Sequence, residues 1–165
     1  MKLIHLAAAL LLLPAADMQA AQADPSAAGI ERGRFLVEFG GCNDCHTPGY
    51  AEQAGKLPEQ DWLTGSSVGF QGPWGTSYPG NLRLDMQRWT EQEWLAAARA
   101  QRMPPMPWFG LARLGDDDLR AIYRFVKSLG PAGVAAPAYV APGGSVTTPY
   151  IVFVPQVDGP KVAGK

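Results

Sequence analysis

The string Cys42-Asn43-Asp44-Cys45-His46 concentrates more reactive chemistry than any other part of the chain. Its cysteines are the only two among 165 residues, and its histidine is one of only two. Two thiols separated by two residues, wound in about one helical turn, present both sulfurs to one edge of a flat ligand. Each thiol can add to one of two vinyl groups on neighbouring pyrrole rings of a porphyrin. The next residue then falls beneath the metal, where an imidazole nitrogen can bind iron. C-x-x-C-H is therefore the attachment pattern of one covalent haem c, with Cys42 and Cys45 as anchors and His46 as an axial ligand.

Three other chemistries compete for these residues, and each lacks something. A redox-active C-x-x-C normally follows a strand in a βαβ unit. Here an amphipathic helical stretch precedes it, and no βαβ pattern exists. A zinc site needs about four protein ligands, which two cysteines and one histidine do not supply without carboxylates. A Cys42–Cys45 disulfide would close a very small, strained ring.

The other axial position narrows by elimination. His5 lies in an apolar leader, so His46 is the one histidine expected after processing, and the second ligand from this chain is a methionine, another weaker donor, or nothing. The remaining donors of suitable softness are Met86, Met103 and Met106. Met86 lies between Asp85 and Gln87, where a surface or gap-filling role is expected. Met103 and Met106 lie in Arg102-Met103-Pro104-Pro105-Met106-Pro107-Trp108. Prolines fix φ and remove backbone donors, so this segment is a stiff loop rather than a helix. A stiff loop is what holds a flexible thioether against iron. Packing under the loop is the plainer role for either sulfur.

These ligands need elements to position them. Residues 1–23 read as a signal peptide: Lys2, an apolar run from Leu3 to Leu13, then Ala21-Gln22-Ala23 as a small-x-small cleavage site. The run is about half of the roughly 20 residues needed to span a bilayer. An exported, periplasmic protein with no transmembrane segment after cleavage is expected. Residues 24–131 read as one domain. Ile30 to Gly41 forms a first helix with Ile30, Gly33, Phe35, Leu36 and Val37 inward, and Gly33 marks close approach by another element. Residues 47–81 show no sustained period and are rich in glycine and proline, yet Trp62, Leu63, Phe70, Trp74 and Tyr78 demand burial. Thr90 and Glu93 form a capping box opening a helix to about Ala100, with Trp94, Leu95, Ala97 and Ala98 inward. A last helix begins at Gly115 or Asp116, with three aspartates at its positive end. Leu119, Ile122, Tyr123, Val126 and Leu129 recur at helical spacing before Gly130-Pro131 stops it.

Residues 132–165 form a Pro/Ala/Gly-rich arm. Within it, Tyr150-Ile151-Val152-Phe153-Val154 is a strand-like run between prolines, expected to lie on its own domain. The formal net charge of −1, without runs of like charge, points away from nucleic acid.

From the first helix to Pro131 the layout resembles a class I, single-haem c-type cytochrome. More narrowly, it is similar to bacterial exported cytochrome c modules that serve as electron-transfer subunits of dehydrogenases. The shared features are Glu31 to Val37 before Gly41-Cys42, Cys45-His46-Thr47-Pro48, Asn81-Leu82, Trp89-Thr90, Met106-Pro107-Trp108 and Asp117 to Tyr123. The resemblance implies a mainly α fold: three to four helices around one covalent haem, with long loops and an extended Pro-rich C-terminal arm. It also implies that the axial methionine stands shortly before the last helix, which favours Met106, with Met103 as the alternative. Gly115 stands where the family often has Ser or Thr, and Asn81-Leu82-Arg83 lacks a following Thr common there.

Histidine and methionine together would close both axial positions of the iron, and thioether ligation raises the reduction potential. The expected function is one-electron transfer between redox partner proteins, an exported dehydrogenase and a respiratory acceptor such as a terminal oxidase, and not catalysis. The competing expectation is a haem enzyme or gas sensor with an open or labile sixth position.

Overall fold

The computed structural model describes residues 25–155; the expected signal peptide lies outside them, as does the end of the arm. Its elements are helices with a small sheet. In chain order the helices are α1 (Pro25–Phe39), α2 (Cys42–His46), α3 (Leu82–Arg88), α4 (Glu91–Arg99), α5 (Trp108–Leu111) and α6 (Asp116–Ser128). The strands are β1 (Gly69–Gly72), β2 (Gly75–Ser77) and β3 (Tyr150–Val152). This is more than the three to four helices expected, because α3 and α5 are too short to print a helical period on the sequence. No helix among the described residues is long and apolar enough to cross a membrane.

The main packing is α1 against α6. Gly33, Leu36 and Val37 form the contact stripe of α1, and a Cβ at Gly33 would lie 2.0 Å from the Ala121 carbonyl oxygen. Phe35, expected inward, is instead 50% exposed and stacks on Phe39 at 5.5 Å. The cause is angular: at about 100° per residue, Phe35 points nearly opposite both Gly33 and Val37. On α6 the buried set is Leu119, Ala121, Ile122, Phe125 and Val126, while Tyr123 and Leu129 are only half-buried. Phe125 and Ala121 belong to the core although the sequence stripe omitted them, because α6 is packed by α1, α3 and α4 on several sides. Met86 is fully buried among these residues, the gap-filling role rather than the surface one.

Caps fix the ends. Arg32 of α1 donates two hydrogen bonds to Asp118 in the first turn of α6, at 2.9 and 3.2 Å, and holds that carboxyl below the usual range. The capping box of α4 is complete: the Glu93 amide donates to Thr90 Oγ1, and the Thr90 amide donates to the Glu93 carboxylate. The Thr90 amide, and after it the Thr90 hydroxyl, donate to that carboxylate and lower the Glu93 pKa. A Thr90→Ala substitution should therefore cost about 1 kcal/mol in chemical denaturation. It should also move the Glu93 titration, followed by NMR, part of the way back up, because the hydroxyl bond is lost while the residue 90 amide still donates. In the parent protein this support is present above the usual glutamate range and is lost as pH falls through the lowered value.

Residues 47–81, expected to be irregular, contain the β1–β2 hairpin, with Phe70 opposite Ser77 and Gly72 opposite Gly75. Its strands are three and four residues long and rich in glycine, so no alternation marks them. The arm returns across this hairpin. β3 pairs parallel with β1, placing Ile151 beside Phe70, and Phe153 packs its ring on Phe70 and Trp74. Asn81 ties in the segment after α6, donating to the carbonyls of Ala132 and Val134 at 2.8 and 3.0 Å.

Candidate functional site

Gly40 and Gly41 end α1, and Gly41 takes a left-handed conformation (φ 66°) that turns the chain into α2. The single turn of α2 carries Cys42, Cys45 and His46 together, as the spacing predicts. Both cysteines are free thiols. Burial pushes the Cys42 thiol up to about 11 and raises that of Cys45 as well. A thiol–disulfide centre works through a lowered thiol pKa, so these shifts run against that chemistry. Among the described residues, no three His, Cys, Asp or Glu side chains converge to hold a metal ion in the manner of a zinc site.

His46 is the best-defined part of the site. Its Nδ1 lies 2.7 Å from the Gly80 carbonyl oxygen, which accepts a hydrogen bond from the protonated Nδ1. That contact selects the tautomer in which Nε2 carries the lone pair. Burial lowers the His46 pKa, with the Gly80 carbonyl opposing, which favours the neutral imidazole. A neutral imidazole oriented through Nδ1, with Nε2 uncommitted, is the form in which histidine binds a metal.

The carbonyl is held in place by backbone. The Gly65 amide donates to the His46 carbonyl at 2.8 Å, and the Ser66 amide donates to the Pro79 carbonyl at 3.0 Å. Gly65 has φ 80°, and a Cβ there would sit 2.8 Å from the Asn81 nitrogen, so only glycine permits this approach. Arg83, buried, donates to the carbonyls of Gln60 and Gly130 at 2.5 and 2.6 Å and to that of Leu129, pinning the same loop to the end of α6. Sequence reasoning missed Gly80, because a backbone acceptor carries no side-chain label among so many glycines.

Met103 and Met106 lie on a separate segment, the loop between α4 and α5. Arg102 donates to the Ala97 carbonyl at 2.6 Å, and Ser77 Oγ donates to the Pro104 carbonyl at 2.5 Å, fixing the loop to α4 and β2. Met103 is 42% exposed, whereas Met106 is half-buried. Exposed apolar side chains border both segments: Phe35 and Phe39 precede Cys42, and Phe109 follows Met106. The Trp74 indole N–H is buried without a partner among the described residues. The α2 turn thus offers two thiols and an oriented imidazole, a donor set that fits haem c, while Met106 offers a half-buried thioether on a separate segment.

Comparison with known proteins bears on the same motif. The chain is 37% identical over 125 residues to the gluconate 2-dehydrogenase cytochrome c subunit of Pantoea cypripedii, covering 67% of this chain and 28% of the relative. It is 31% identical over 131 residues to the cytochrome c subunit of the quinone alcohol dehydrogenase of Gluconobacter oxydans, covering 73% of this chain and 25% of the relative. One of the nicotinate dehydrogenase subunits of Pseudomonas putida is 30% identical over 128 residues, which are 68% of this chain and 10% of that protein. The chain thus spans about a quarter of the length of the first two relatives. No family model and no solved structure matches it. By these matches, the chain is similar to the cytochrome c subunits of dehydrogenases.

Proposed function

We propose that this chain is an exported, periplasmic electron carrier with a cytochrome c fold, passing single electrons from a dehydrogenase to a respiratory acceptor. The observation that carries the reading is the His46 imidazole, neutral, oriented by Gly80 and one residue beyond two uncommitted thiols. When bound, haem c supplies the one-electron couple of its iron. Cys42 and Cys45 would hold it through thioether bonds, and His46 Nε2 would bind its iron. Met106 would be the second side chain to bind iron, supported by its lower exposure than Met103 and its place just before α5. With His46 and Met106 both bound to iron, the chain would orient and insulate the group without offering a site for oxygen or peroxide. The capping box of α4 and the backbone clamp on His46 would hold these side chains in place between oxidation states.

Mass spectrometry and visible spectroscopy of exported material test the attachment: the polypeptide mass should rise by that of haem, with the protein red. Colourless protein at bare polypeptide mass would defeat the reading. Substitution separates the methionines. Met106→Ala is expected to abolish the weak near-infrared band of ferric iron–thioether bonding, while Met103→Ala keeps it. The reverse outcome would move the assignment to Met103. Ready binding of carbon monoxide by the reduced parent protein would favour a gas sensor or haem enzyme instead.

A further inference from the structure

The residue after His46 makes a contact that haem attachment alone does not require. Thr47 is buried, and its hydroxyl has two partners. It donates to Asn43 Oδ1 at 2.7 Å and accepts from the Leu63 amide at 2.8 Å. Asn43 is also buried, and its Nδ2 has no partner among the described residues, so its bond to Thr47 is what orients that side chain. Leu63 is fully buried with φ 62°, a left-handed conformation that a bulky residue adopts only when its surroundings enforce it. The Thr47 hydroxyl is part of that enforcement.

The strip that begins at Leu63 closes a circuit around the histidine. Leu63 N–H meets Thr47, Gly65 N–H meets the His46 carbonyl, and Ser66 N–H meets the Pro79 carbonyl. The next carbonyl, that of Gly80, accepts from His46 Nδ1. We propose that Thr47 is a positioning residue for the His46 imidazole, acting through the Leu63–Ser66 strip that its hydroxyl holds. This rests on the haem reading above. Without the hydroxyl, Leu63 would keep a buried N–H with no acceptor and a backbone conformation with less to hold it. The strip then relaxes, and the Gly80 carbonyl moves off Nδ1. A slacker Nδ1 bond makes the imidazole less basic, which favours ferrous iron and raises the reduction potential.

The test uses the full-length haem-loaded protein, with Thr47→Val removing the hydroxyl at nearly constant shape and Thr47→Ser restoring it. Two quantities are read: the reduction potential, and solvent exchange of the His46 Nδ1 proton by NMR. Thr47→Val should raise the potential and speed the exchange by about tenfold, the factor one lost hydrogen bond carries. Thr47→Ser should return both to near the parent values. A Thr47→Val protein that is merely less stable, with potential and exchange unmoved, would overturn the proposal and leave Thr47 a structural cap. Should Thr47→Val not mature, Asn43→Ala decides. It keeps the Leu63 amide paired but frees the hydroxyl to rotate, so both readouts should move the same way by less. An Asn43→Ala protein identical to the parent in both would overturn it equally. Parent protein lacking haem would overturn both readings, whereas normal parent spectra with unmoved variants overturn this one alone.

Discussion

A Cys45→Ala chain is expected to lose most of its covalent haem and, with it, the cooperative thermal transition of the parent protein. The reasoning runs from burial to stability. Residues 47–66, a long segment with few regular elements, are organised around the back of His46 through the bonds to Thr47, His46 and Pro79. Phe35, Phe39 and Phe109 present large exposed apolar surfaces beside the ligand segments. A covalent macrocycle packed against apolar surface of this kind would remove it from water at roughly 25 cal/mol per Å². Binding free energy of a group held only by the native state is folding free energy. Deleting one anchor lets the haem escape during maturation, so the loss is several kcal/mol. At roughly 2–6 °C per kcal/mol for a chain of this size, the midpoint should fall by well over about 10 °C. Far-UV circular dichroism against temperature, with absorbance of the covalently bound haem on a denaturing gel, reads both effects. A Cys45→Ala protein that melts like the parent would show that the fold does not depend on the haem.

What the sequence made legible, and what it did not, follows from which atoms carry the function. The thiols and imidazole are side chains of rare type, so a chain with two cysteines announces its Cys42–His46 turn without any structure. α6 was equally plain, because Leu119, Ile122 and Val126 repeat at helical spacing between an acidic start and Gly130-Pro131. The capping box set the start of α4 to the residue. Where the period was short, reading failed. α3 has seven residues, and its Asn81 cap is recognisable only once the Leu84 amide is seen donating to Oδ1. The hairpin strands are shorter still, and β3, the partner of β1, lies some 80 positions further along the chain, a separation that no local pattern encodes. Tyr150 to Val152 was recognisable as a strand from composition, but not its pairing with β1. At the site itself, Gly80 and Leu63 act through backbone atoms whose roles depend on two distant loops running side by side.

Gly33→Ala is expected to be the most damaging substitution of a residue that touches no ligand. Two effects of opposite sign meet there. Alanine favours a helix over glycine by about 1 kcal/mol, which alone would stabilise α1. Against that, a Cβ at Gly33 would stand 2.0 Å from the Ala121 carbonyl oxygen and 2.7 Å from Phe125 Cβ. The first contact is backbone and the second is the root of a buried ring, so neither can swing aside as a flexible side chain would. The helices must separate, and overpacking of this kind costs typically 1–3 kcal/mol, more when the backbone has to move. Separation also loosens Leu36 and Val37 against α6 and strains the Arg32–Asp118 bridge, so a net loss of about 3 kcal/mol is expected. Gly29, one turn earlier in α1, is the internal control. A Cβ there meets only the end of the Arg124 side chain at 3.8 Å, an ordinary contact. Gly29→Ala should therefore raise stability by up to about 1 kcal/mol through helix propensity alone. Denaturant titration of the two variants against the parent reads the difference directly. If both changed stability in the same direction, close approach of α1 and α6 at Gly33 would not be what holds the domain together.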